Sequence, residues 1–193
     1  LITAVINWCN HPKICRAATE LQTEGVIAYP TEAVWGLGCD PWSQSAVYKI
    51  LSLKRRSEAK GLILIASDID QLAPFLQGLD EDHRVRMLMD YNKPVTWLVP
   101  DNGAAPNWIV GAHDTVALRI TTHPVAAALC QLFAGPLVST SANPQGLPAA
   151  TTGLKVRNYF GRGVDYLAPG NVGQSQQASE IRHLITSEVI RPG

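Results

Sequence analysis

Apolar residues recur along the chain with two periods, and the alternation of those periods predicts its elements. Across residues 12–24, Ile14, Ala17, Ala18 and Leu21 fall at i, i+3, i+4 and i+7. That spacing predicts an amphipathic helix with a proline near its start and Gly25 as its stop. Residues 26–29 read as a short buried strand broken by Pro30, and residues 43–53 as a second helix with Ala46, Val47, Ile50 and Leu51 on one face. Residues 62–66 form a continuous aliphatic run, as in strands buried on both faces. Helices are expected over 68–77 and 80–89, the latter opening with three acids that suit a helix N-terminus. Residues 95–99 and 115–120 read as strands, 124–133 as a helix with Pro124 in its first turn and Gly135 as its punctuation, and 137–139 as a strand entering a polar turn. A short helix at 154–159 and a closing hairpin, 180–185 with 188–191, complete the pattern.

Helices and strands interleave without an internal repeat or low-complexity tract, which predicts an α/β fold on a mixed sheet. Several of the long connections (30–42, 54–61, 100–114 and 139–152) follow predicted strands, where such folds place ligand sites. With 193 residues, 46% hydrophobic and 17% charged, folding is expected to bury roughly 70% of the chain's surface. One domain over 1–193 is therefore expected.

Charge narrows the search. Sixteen Lys+Arg balance sixteen Asp+Glu, so a globally basic nucleic-acid coat is excluded and any polyanion must be held by a local cluster. No run approaches the ~20 apolar residues that span a bilayer, and residues 1–8 lack the basic start and small-residue cleavage site of a signal peptide. Four cysteines without a CxxC pair read as reduced thiols, so a cytoplasmic location without membrane contact is expected. Cys9, His11 and Cys15 fit no standard zinc spacing and are read as carrying no metal.

Four segments carry candidate chemistry. Lys54-Arg55-Arg56-Ser57-Glu58-Ala59-Lys60-Gly61 places four basic residues between a helix and a core strand. It is either a solvated charge run or a phosphate site combining point charge and fork. Ser139-Thr140-Ser141-Ala142-Asn143 follows a strand and suits equally a phosphate cradle and an ordinary turn. Tyr29-Pro30-Thr31-Glu32-Ala33-Val34-Trp35-Gly36-Leu37-Gly38 contains neither familiar nucleotide fingerprint. Its glycines allow close backbone approach to a ligand, and Glu32 could equally cap a helix beginning at Ala33. Arg119 interrupts an apolar strand on the face of Thr115 and Ala117, and needs an anionic partner: Asp114, a helix C-terminus or a bound carboxylate. His113 and His123 are not assigned as bases, because spacing alone does not define a catalytic triad.

These segments, in this order, resemble the YrdC-like threonylcarbamoyl-AMP synthase family over residues 26–191. The opening block runs from Tyr29 to Gly38, a Lys-x-Arg element is Lys54 and Arg56, and a Ser-x-Asn element is Ser141 and Asn143. The strand to Ile120 with His123-Pro124, and the ending Arg191-Pro192-Gly193, also fit. The resemblance implies an open, twisted mixed sheet with flanking helices around a positively charged cavity, in the family's short single-domain form. It implies a nucleotidyltransferase that condenses L-threonine, bicarbonate or CO2, and ATP into threonylcarbamoyl-adenylate and pyrophosphate, with Mg2+ usually present. Other proteins then transfer the group to adenosine 37 of tRNAs reading codons that begin with A, giving N6-threonylcarbamoyladenosine.

By the same resemblance Lys54, Arg56, Ser141 and Asn143 are catalytic. ATP is bound by those four with Lys60, Thr115 and Arg191, and threonine by Thr31, Arg119, Ser139 and Ser179. No protein metal ligands are implied. Ser57 stands where the family commonly has Pro, Tyr91-Asn92-Lys93-Pro94 replaces Trp-Pro-Gly-Pro, and Ala33 replaces a Thr; none removes a charge from the site. The alternative is a non-catalytic module binding tRNA or double-stranded RNA, or acting in ribosome maturation, through the same concavity.

Overall fold

The computed structural model describes residues 6–89, 91, 93–175 and 177–193. The N-terminal stretch 1–5 and Asn92 of the Tyr91–Pro94 replacement lie outside the described residues, as do Asp90 and Gln176. In chain order the elements are α1 (Pro12–Gln22), β1 (Ile27–Pro30), β2 (Trp35–Gly38), α2 (Gln44–Lys54), β3 (Ile63–Ala66), α3 (Glu81–Leu88), β4 (Val95–Pro100), α4 (Asn107–Val110), β5 (Thr115–Ile120), α5 (Pro124–Phe133), β6 (Leu137–Ser141), α6 (Gly153–Phe160), β7 (Tyr166–Leu167), β8 (Glu180–His183) and β9 (Val189–Arg191).

Local chemistry sets the helix ends. His11 caps α1 through Nδ1, which accepts from the Lys13 amide at 3.2 Å, with Pro12 in the first turn. Ser43 caps α2 and Thr152 caps α6 by accepting from amides three residues on. α2 ends where Arg55 adopts a left-handed conformation at φ 52° and the Arg56 amide bonds back to Leu51 O at 2.9 Å.

Four expectations are corrected. The connection 30–42 contains β2, and no helix begins at Ala33. Residues 68–77 form a 3-10 helix over Asp70–Leu76, where Pro74 withholds an amide. The connection 100–114 holds the single turn α4, and β6 runs two residues beyond Ser139 to Ser141. β2 is a strand because its backbone is paired on both sides, by β1 and by β6, although two of its four residues are glycine.

Among the described residues, nine strands form one mixed sheet in the order β7-β1-β2-β6-β3-β5-β4-β8-β9. Alternation divides their side chains between two cores. Ala28, Leu37, Leu64, Val116, Leu118 and Val138 join α2, Phe75, α4 and α6 on one face. Ile27, Tyr29, Ile65 and Leu137 join α1 and α5 on the other. On that second face the register aligns Ser139, Ile63, Ala117 and Leu98 across β6, β3, β5 and β4. This row, small at Ser139 and Ala117 and aliphatic at Ile63 and Leu98, floors the cavities described below.

The loop after α2 is fixed by a close backbone approach. Leu62 N bonds to Ile109 O at 2.9 Å and Ala112 N to Ala59 O at 3.0 Å. Gly111 has φ +69°, and a Cβ there would lie 2.6 Å from both Glu58 O and Gly61 N. Gly103 also has positive φ, at +82°, but open space around it. Gly111→Ala is therefore expected to cost about 3 kcal/mol or more, through strain and overpacking, and Gly103→Ala about 1 kcal/mol, through strain alone. Urea denaturation of both variants checks the difference; equal losses would show that the backbone approach is not a constraint.

Candidate active site

Two adjoining cavities open on the face that carries Ser139, Ile63 and Ala117. The first, about 180 Å³, is lined by Thr31, Arg119, Ser139 and Ser179 among others. The second, about 260 Å³, is more apolar, with Leu98, Ile109, Val110 and Ile181 beside Lys60, His113 and Thr115. Arg56, Leu62, Ile63 and Arg191 line both. Two arginines thus stand at the junction of a polar lobe and an apolar one.

In the polar lobe, Thr31 follows β1, and its Oγ1 donates to Val34 O at 2.7 Å. Ser139 comes from β6 and Ser179 precedes β8; both are buried. The Ser179 hydroxyl lies 2.8 Å from Thr96 Oγ1, and Ser179 O accepts from Arg191 Nη2 at 2.7 Å. Arg119 projects from β5, buried, with Nη2 3.6 Å from Glu32 Oε2. The internal acid that Arg119 needs is therefore Glu32, 87 residues away in sequence, and not the adjacent Asp114. Burial pushes the Glu32 carboxyl up, but Arg119 and the donors Thr121 and Thr122 outweigh it and hold the group below the usual carboxylate range.

At the junction, Arg56 donates to Lys60 O at 3.3 Å and Gly61 O at 3.1 Å, which holds its guanidinium at the mouth of both lobes. Burial lowers its pKa; burial and then the nearby Arg119 lower that of Arg191. Lys60 is exposed at the rim and donates to Gln145 Oε1 at 3.2 Å. Thr115 lines the apolar lobe and Ser141 the polar one.

Lys54 and Asn143 do not line either cavity. The Lys54 ammonium is buried beneath the turn after β6, donating to Ser141 O and to Asn143 O at 2.9 Å. Its own carbonyl accepts from Gln145 N at 2.7 Å. Asn143 Nδ2 donates to Leu147 O at 2.6 Å, closing the same turn. Lys54 and Asn143 thus shape the loop that presents Ser141. Glu32 is the charged residue lining the polar lobe that was not assigned to the site from sequence; its position just after β1, beside Thr31, was the available signal.

Buried against the turn and near Arg56, Lys54 has its pKa lowered to about 8 from 10.5. Its charge, and the ion–dipole hold on the 141–143 carbonyls, should be lost as pH rises through about 8. We expect activity to acquire a falling limb there, displaced upward in Lys54→Arg; superimposable pH–rate profiles would refute this. Stability runs the other way. Between pH 8 and 10.5 the folded chain has released this proton and the unfolded chain has not, so this group's contribution to stability rises with pH.

The open mixed sheet thus carries a two-lobed cavity with Arg56 and Arg191 at the junction and Arg119 in the polar lobe. The Sua5/YciO/YrdC family model, described as telomere recombination, matches residues 19–193, and the chain belongs to this family. It is 51% identical to the threonylcarbamoyl-AMP synthase of Cellvibrio japonicus over 188 residues, covering 97% of this chain and 100% of that one. It is also 51% identical to that of Pseudomonas putida over 181 residues, covering 94% and 97%. The structure of P. abyssi Sua5 complexed with L-threonine superposes with a TM-score of 0.82 at 28% identity, over 88% of this chain and 50% of that one. A P. abyssi Sua5 variant gives a TM-score of 0.88 at 28% identity, over 99% of this chain and 58% of that one, so this chain spans little more than half of Sua5.

Proposed function

We infer that the protein is a threonylcarbamoyl-AMP synthase, condensing L-threonine, bicarbonate or CO2, and ATP into threonylcarbamoyl-adenylate and pyrophosphate. The observation that carries this reading is the meeting of the two lobes at Arg56 and Arg191. The polar lobe suits the amino acid: Arg119 faces its carboxylate, and Thr31, Ser139 and Ser179 supply hydroxyl partners. The apolar lobe suits the nucleoside, with Thr115 and Lys60 at its polar margins.

Threonine's ammonium and bicarbonate combine to a carbamate with loss of water and a proton. A carbamate oxygen then attacks the α-phosphorus, and the P–O bond to pyrophosphate breaks. Attacker and phosphates are all anionic, so fixed cations at the junction lower the barrier by positioning and by neutralising charge. Arg56 and Arg191 are placed for this, with Lys60 at the outer phosphates. Ser141 offers a hydroxyl from the facing turn, held in shape by Lys54 and Asn143.

A resident magnesium site does not fit the residues present. Glu32 is the one carboxylate among the described lining residues of the two lobes, and one of its oxygens already takes two donors while the other faces Arg119. The donor set supports a metal entering with the nucleotide as part of the substrate. No helix among the described residues is long and apolar enough to cross a membrane. In this reading the enzyme is cytoplasmic and supplies a tRNA-modifying transferase. The non-catalytic RNA-binding alternative is not favoured, because relatives about 50% identical over nearly the whole chain are named as synthases.

Purified protein should release pyrophosphate only when ATP, bicarbonate and threonine are all present. Equal release without threonine would overturn the reading. Arg56→Ala and Lys54→Ala are each expected to lower kcat/KM by at least ~2 kcal/mol in transition-state stabilisation, the first by direct loss of charge and the second through the turn. Wild-type kinetics in either variant would remove that residue from the machinery.

A further inference from the structure

Glu32 is placed in neither substrate's binding set, yet it ties together the segments that form the polar lobe. Its Oε1 accepts from Thr121 Oγ1 at 2.6 Å and from Thr122 N at 3.1 Å, the two residues that follow β5. Its backbone carbonyl accepts from Ser175 N at 3.0 Å, and the Thr31 carbonyl accepts from Gly173 N at 2.9 Å. A Cβ on Gly173 would lie 2.8 Å from Glu32 O, so this crossing needs the missing side chain. The crossing leads the chain toward Ala178 and Ser179 on the cavity wall.

The other carboxylate oxygen completes the arrangement. Oε2 is buried without a hydrogen-bond donor and lies 3.6 Å from Arg119 Nη2. At that distance the pair attracts without a hydrogen bond, so the guanidinium keeps N–H donors uncommitted. Glu32 and Arg119 are each 8% exposed, and the attraction is therefore little screened by solvent. Among the described residues, no other acid pairs with Arg119.

We propose that Glu32 is the positioning residue of the amino-acid lobe, fixing Arg119 so that its free N–H groups meet the substrate carboxylate. The proposal rests on reading that lobe as the threonine site. It assigns Glu32 no contact with threonine; the carboxylate acts through Arg119.

Glu32→Gln keeps an acceptor for Thr121 and Thr122 while removing the charge that holds Arg119. Steady-state pyrophosphate release, with bicarbonate saturating, should show the threonine KM raised about tenfold or more, as when a supporting partner of a binding group is lost. The ATP KM should stay within about twofold, because the perturbation is confined to one lobe. In an Arg119→Lys background the same change should add little, since both substitutions break one interaction.

An unchanged or lowered threonine KM would overturn the proposal, showing that Glu32 merely competes with substrate for Arg119. A parallel rise in both KM values would overturn it in favour of a general structural role, and additive effects in the double variant would show action independent of Arg119. Threonine-independent release by the wild-type chain would instead overturn the assignment of the lobe, and this inference with it.

Discussion

A guanidinium held inside an α/β sheet must be compensated, and that constraint organises the described part of this fold. Arg119 lies on β5 beside β3, with Leu118 and Val116 turned into the core on the opposite face. Left alone, a charge at 8% exposure would carry a desolvation penalty of several kcal/mol. Glu32 supplies the counter-charge from the connection between β1 and β2, so that connection must reach across to the end of β5. Once there, its backbone also receives Gly173 and Ser175. One buried ion pair thereby gathers three segments distant in sequence around a single cavity.

Sheet register does the rest of the placing. Helices α1 and α5 cover the part of the second face formed by β1 and β3, through Ile27, Tyr29 and Ile65. The row Ser139–Ile63–Ala117–Leu98 continues across the sheet as cavity floor. Period-two alternation then gives β5 two jobs: Val116 and Leu118 close a core while Thr115, Ala117 and Arg119 floor the lobes. A one-residue slip of β5 would exchange these sets, turning the arginine into the core and leucine into the site. Register and function are thus specified by the same apolar positions.

Much of this was legible in the chain, for reasons that particular elements show. The period of Ile14, Ala17, Ala18 and Leu21, the apolar face of Ala46, Val47, Ile50 and Leu51 and the aliphatic run before Ala66 each reflect local energetics, and each element formed where expected. β2 was hidden because two glycines dilute its pattern, and its backbone pairing comes from β1 and from β6, about a hundred residues away. Asp70–Leu76 was placed correctly but mistyped, since periodicity locates a helix while Pro74 decides its hydrogen bonding. Among the candidate site residues, Thr31, Arg56, Arg119, Ser139, Ser179 and Arg191 line one cavity. The partner of Arg119 was not legible, because an ion pair across 87 residues leaves no local signal.

The basic run after α2 shows how a neutral chain can build a cationic site. Its members separate by depth. Lys54 is buried and spends its charge on carbonyl oxygens of the facing turn, Arg56 is half-buried at the junction, and Lys60 reaches the rim. The left-handed step at Arg55 produces this separation, because it ends α2 directly after Lys54 and turns Arg56 toward Gly61. Had the helix continued, Lys54 and Arg56 would stand about 200° apart around its axis, and one of them would face away from the cavity. Acids such as Glu81 and Asp82 meanwhile sit at the start of α3, where they complement the helix dipole. Equal totals of charge are therefore compatible with a local cluster of cations, and the left-handed step at Arg55 sets the direction in which Arg56 leaves the helix.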